Sequence, residues 1–191
     1  LAWMAGDEAV GQFSAALRIA EVWYFIPMAM MSAAFPAMIK RREEGPQAYE
    51  RYLQSLYDGM AWLGFGIAAT TTLAAPWLIP LLYGPDYTAA VSVLVVQIWA
   101  GVTVAMSFVH SRWLVAEGLQ KIALAYTLAG ACVNLGLNLF LIPRHGAVGA
   151  AWATLITQVI LMPMQLVFPR ARSNFYLMLR VVTAPVRQLR P

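Results

Sequence analysis

Two charged residues stand where charge is hardest to keep. Arg18 and Glu21 lie three residues apart in SAALRIAEVWYFIP, a stretch that is otherwise largely apolar. On a helix that spacing puts both side chains on one face. An arginine presents its N–H donors as a rigid fork that fits phosphate oxygens, so Arg18 is a candidate group for binding a phosphate or pyrophosphate. Glu21 beside it would tune that arginine or take part in proton or cation coupling. A plainer reading stands next to this one: an i,i+3 ion pair that fixes packing, with Arg18 reaching outward to the membrane surface. A second pair, Asn134 and Asn138, lies one helical turn apart in ACVNLGLNLFLIP. Carboxamides can hydrogen-bond a sugar. Beside small residues such as Gly130 and Gly136, they more often hydrogen-bond a neighbouring helix. Gln97, Gln158 and Gln165 read the same way.

No catalytic pattern accompanies these residues. The chain has no Gly-rich phosphate loop, no HExxH and no GxSxG, and no pair of carboxylates falls inside an apolar stretch. His110 and His145 stand 35 residues apart without an acidic partner at ligand spacing. The one cysteine, Cys132, sits in an apolar run. Catalytic residues, a metal site, a disulfide and a cofactor are therefore not expected, and the chain does not read as an enzyme.

The elements that must position these residues follow from composition. Of 191 residues, 61% are hydrophobic and 12% charged, with a mean hydropathy of +0.64. An average soluble domain is about 45–50% apolar and roughly 25% charged. The charges are also clumped. None occurs at 87–111, 122–143 or 145–169, each of them 22 residues or longer. About 20 apolar residues cross the ~30 Å hydrocarbon core of a bilayer. A soluble domain, a disordered chain, a coiled coil and a secreted disulfide scaffold are all excluded. The net charge of +4 and pI near 9.5 would point a soluble protein toward nucleic acid. Here the basic residues fall between apolar runs, where they set topology and meet anionic membrane lipid, and no nucleic-acid partner is expected.

Runs such as VSVLVVQIWAGVTVAM do not alternate as membrane strands would. The chain reads as an all-α integral membrane protein, a polytopic helical bundle of about five transmembrane helices, at about 9–39, 56–82, 88–116, 119–142 and 147–168. The turns are YGPDY at 83–87, EGLQK at 117–121 and PRHGAVG at 143–149, and the one long loop is the charged segment KRREEGPQAYERY at 40–52. Eleven of the thirteen Lys and Arg residues fall in alternate loops and in the tail. The positive-inside rule places the 40–52 loop and the tail in the cytoplasm. Residues 170–191 form a basic tail, in which SNFYLMLRVVTAPV reads as an interfacial helix or, failing that, a disordered basic end. Pro27 and Pro36 are expected to bend the first span. Trp3, Trp77, Tyr83, Tyr87, Trp113 and Trp152 are expected in an interfacial belt. The start, LAWMAGDEAVG, reads as a piece of a longer protein entered just before a span.

Four stretches then carry a resemblance. They are DEAVGQFSAALRIAEVWYFIPMAMMSAAFPAMIK at 7–40, LIPLLYGPDYTAAVSVLVVQIWA at 78–100, WLVAEGLQKIALAYTLAGACVNLGLNLFLIP at 113–143 and HGAVGAAWATLITQ at 145–158. Taken together they resemble the C-terminal half of the polysaccharide transporters, or oligosaccharide flippases, of the multidrug/oligosaccharidyl-lipid/polysaccharide exporter superfamily. The resemblance implies two helical lobes around a central cavity, with residues 1–169 as most of the second lobe and the N-terminal lobe missing. It implies alternating-access movement of a lipid-linked oligosaccharide, of the undecaprenyl pyrophosphate type, across the bacterial inner membrane. It also implies cationic cavity residues that hold the pyrophosphate, a role that would fall to Arg18 with Glu21 beside it. Two alternatives stay open. One is a multidrug cation antiporter or lipid II flippase of the same superfamily. The other is a non-transporting membrane subunit of a glycan-assembly complex.

Overall fold

The computed structural model describes residues 2–181. In lipid no water is available to backbone N–H and C=O groups, so each apolar run must satisfy them within itself. Even the Val-rich run at 91–104 is therefore helical, despite its β-branched residues. The elements are α1 (Ala2–Glu44), α2 (Pro46–Tyr83), α3 (Ala89–Ala116), α4 (Gln120–Met164) and α5 (Arg172–Arg180), joined in places by short 3-10 turns. No strand occurs among the described residues.

Four helices, α1 to α4, are long and apolar enough to cross a membrane, where the sequence led us to expect about five. The difference lies in α4. At Gly146 the backbone leaves helical geometry, with φ 56° and ψ −134°, a conformation open to glycine and strained for other residues. Beyond it the chain turns back on itself. Asn134 donates from Nδ2 to the Thr157 hydroxyl at 3.3 Å, a contact 23 residues along the sequence. A straight helix would hold those residues about 35 Å apart at 1.5 Å per residue. α4 is thus a hairpin of two antiparallel arms whose turn is a single glycine rather than the seven-residue loop expected at 143–149.

The charged segment at 40–52 also differs from the long loop expected of it. It is helical on both sides of one residue, Gly45 (φ 122°), with Pro46 opening α2. Lys, Arg, Glu, Gln and Ala are good helix formers, and proline is preorganised for a first helical position. The corner is tied by Arg41–Glu44 at 2.6 Å, by Arg42–Glu117 at 3.0 Å, and by the Tyr52 hydroxyl donating to the Ala34 carbonyl at 3.4 Å. α1 runs as a helix through Pro27 and Pro36.

α3 is the hub. Half of its most apolar 18-residue window is buried, against 17%, 22% and 11% for α1, α2 and α4. The core divides along its length. At the end near the 83–89 turn, seven of twelve core residues are alanine, including Ala15, Ala16, Ala20 and Ala151. Small residues let helix backbones approach closely where no hydrophobic force drives helices together in lipid. Here Gln12 ties two elements. Its Nε2 donates to the Asp86 carbonyl at 2.8 Å, and its Oε1 accepts the Ala90 N–H at 2.9 Å, satisfying one of the free donors that open α3. At the basic end the core is built instead from Met31, Met38, Tyr57, Met106, Trp113 and Leu177 among others.

Candidate functional site

Arg18 and Glu21 sit on an exposed face of α1, which they share with Val22 and Phe25. Ala15, Ala16 and Ala20 on the other face are buried against the bundle. The two charged side chains form no ion pair with each other, and neither makes a hydrogen bond or ion pair with another described residue. If the apolar stretch enters the membrane at Ala9, Arg18 lies about 14 Å down and Glu21 about 18 Å, near the middle of a ~30 Å core. A charge there costs at least ~2.5–3.5 kcal/mol unless water, a headgroup or another protein surface receives it.

Asn134 and Asn138 are placed differently. Asn138 donates from Nδ2 to Asn134 Oδ1 at 2.8 Å, and Asn134 reaches Thr157 on the opposite arm of the α4 hairpin. The pair thus bridges the two arms. No hydrogen bond or ion pair joins it to Arg18 or Glu21.

The structure also shows a polar centre that the sequence reading missed. At the basic end Asn174 of α5 is 1% exposed. Its Nδ2 lies 2.8 Å from the Tyr57 oxygen, 2.8 Å from His110 Nδ1 and 3.2 Å from Gln165 Oε1. Two N–H groups serve three acceptors, so the bonds are shared. Tyr57 in turn donates to Asn174 Oδ1 at 3.1 Å. With His110 accepting at Nδ1, its proton sits on Nε2 in the neutral tautomer. α5 is docked on the bundle through Asn174, Phe175, Leu177 and Met178, all buried. The signal was present, since those residues fall at helical spacing on one face of SNFYLMLR. Residues 182–191, the remainder of the expected interfacial segment, lie outside the described residues. Trp113, expected in the interfacial belt, is buried instead and stacks on His110 at 5.8 Å. Trp77 is 73% exposed.

Between the α1–α2 corner, the end of α3 and α5 lies an open groove of about 530 Å³. Arg42, Arg170 and Arg180 line it together with Glu50 and Glu117. Arg180 pairs with Glu50 at 2.7 Å across its mouth. Among the described residues, no cluster of His, Cys, Asp and Glu is arranged to hold a metal ion.

Over 164 residues, 84% of its length, the chain is 30% identical to a protein of Shigella dysenteriae described as "Putative O-antigen transporter". The chain spans 40% of the length of that relative. No family model matches the sequence, and no solved structure matches it. The four long apolar helices support a multi-pass membrane protein.

Proposed function

We propose that this chain is part of a transporter that moves a lipid-linked oligosaccharide or polysaccharide unit across the bacterial inner membrane by alternating access. The observation that carries the reading is the face of α1 bearing Arg18 and Glu21, both exposed and without a hydrogen bond or ion pair to a described residue. Lipid hydrocarbon cannot receive such a face cheaply. A hydrated cavity between this bundle and a second lobe can. In that cavity Arg18 supplies counter-charge to the pyrophosphate of an undecaprenyl-type carrier, and Glu21 tunes Arg18 or carries the coupling cation. The carrier's hydrocarbon tail stays in the bilayer while its charged headgroup passes. Asn134 and Asn138, which bridge the α4 arms, are the candidate polar contacts to the sugar from α4. The basic end, with its clustered arginines, faces the cytoplasm. The chain performs no covalent chemistry in this account.

The reading is tested by reconstitution. The product of the natural gene is placed in vesicles carrying a fluorescent lipid-linked oligosaccharide in one leaflet, and its appearance in the other leaflet is followed with a membrane-impermeant quencher. We expect the rate to rise in proportion to the protein incorporated. A rate equal to that of protein-free vesicles would overturn the proposal.

A further inference from the structure

We propose that the groove at the basic end is a binding site for the headgroup phosphate of an anionic glycerophospholipid. This is independent of what the protein transports. The groove opens at the charged end of the bundle, lined by Arg42 and Pro46 at the α1–α2 corner and by Glu117 just after α3; on the topology proposed above, this end lies at the membrane surface. Its charge is one-sided by a single unit, three arginines against two glutamates. Arg42 is held by Glu117 at 3.0 Å and Arg180 by Glu50 at 2.7 Å. Arg170 is different. It is exposed at the rim, on the 3-10 turn that leads into α5, and it makes no hydrogen bond or ion pair with a described residue. Ser173, beside it in the lining, offers a hydroxyl that is likewise uncommitted.

An arginine fork and a hydroxyl on one rim fit the oxygens of a phosphate monoanion. The other two arginines are each paired with a glutamate, so the uncompensated positive charge of the groove is that of Arg170. The choice of a lipid over a free anion rests on the walls. Pro46 and Tyr176, both exposed, and the half-buried Tyr49 line the same groove over a floor of Leu53, Trp113 and Leu177, and these rings match the glycerol and first methylenes of a lipid while offering inorganic phosphate little. The volume of about 530 Å³ exceeds what a phosphate alone would fill. Basic residues near a membrane surface are each worth about 1 kcal/mol toward anionic lipid, roughly a fivefold change in affinity.

The test uses the full chain purified in detergent and native mass spectrometry. Phosphatidylglycerol and phosphatidylcholine with the same acyl chains are added in turn, with and without inorganic phosphate as competitor. We expect one saturable phosphatidylglycerol, poorly matched by phosphatidylcholine and retained in millimolar phosphate. Arg170→Gln should weaken it about five- to tenfold, and Arg170→Lys should restore part of the loss. Arg172→Gln is the control, because the Nε of Arg172 is already donated to the Leu166 carbonyl at 2.8 Å. Equal binding of the two lipids overturns the proposal. So does an equal loss in the Arg170 and Arg172 variants, which would indicate diffuse charge attraction. Complete displacement by inorganic phosphate would assign the groove to a free anion instead and overturn the lipid reading.

Discussion

Asn174→Leu is expected to destabilise the folded chain by about 3–5 kcal/mol, since each buried polar group stripped of its partner costs ~1–3 kcal/mol. The substitution nearly preserves volume but removes the shared carboxamide. The Tyr57 hydroxyl, His110 Nδ1 and Gln165 Oε1 all lose a partner at once. Tyr57 is fully buried and Gln165 is 1% exposed, so water cannot replace what is lost without opening the structure. Networks of this kind lose more than the sum of their pairs. The weak point is α5, which has only nine residues and is too short to hold its helix without packing. We expect its amides to exchange with solvent as fast as an unfolded segment while α2 and α3 stay protected. Thermal unfolding in detergent, with hydrogen exchange resolved by segment, measures both effects. A variant as stable as the parent, with α5 still protected, would show that the carboxamide is dispensable.

A second large effect is expected at Gly149. A Cβ built there meets the backbone of Leu141 on the facing arm of the α4 hairpin, with the carbonyl carbon only 2.7 Å away. Backbone cannot swing aside as a side chain can. Gly149→Ala should therefore push the arms apart beside the Gly146 turn and cost ~2–3 kcal/mol, in the range of overpacked cores. The Asn134–Thr157 bond, already 3.3 Å long, would be among the first to part. Gly136 on the same helix provides the contrast, because a Cβ there meets nothing within 4 Å. Gly136→Ala should be neutral, or more stable by up to ~1 kcal/mol through helix propensity. Comparing the two variants by chemical denaturation in detergent separates backbone crowding from any general intolerance of change at glycine. Equal stabilities would contradict the close approach.

The fold class was legible because bilayer thickness imposes a length on each apolar run, and uncharged stretches such as 122–143 and 145–169 state that length directly. The reversal between those stretches was legible too, since Arg144 interrupts them. The form of the turn was not. Nothing in PRHGAVG announces that every residue but Gly146 keeps helical geometry. The segment at 40–52 misled for a related reason. Its charges say that it leaves the membrane, which is a different matter from leaving the helix, and Gly45 alone makes the corner.

At the level of sites, Arg18 and Glu21 could be singled out because a charge inside an apolar run is rare and costly. Whether they pair with each other was undecidable from spacing, since i,i+3 permits contact without requiring it. In the structure they do not pair. Asn174 escaped notice for the opposite reason. It sits in a basic tail where an asparagine is unremarkable, and its importance arises from Tyr57, 117 residues away, and His110, 64 residues away. Contacts of that sequence separation have no local signature.

The most direct test of the transport account is restoration of surface polysaccharide in a bacterium that lacks its own flippase, using the natural gene that encodes this chain and its Arg18→Ala variant at matched membrane levels. The account predicts that the parent restores the polysaccharide and that the variant inserts normally but fails to do so, with Arg18→Lys falling between them. Equal restoration by parent and Arg18→Ala would remove Arg18 from the pathway. Failure of the parent together with a rise in drug resistance would contradict the account and make the protein an antiporter.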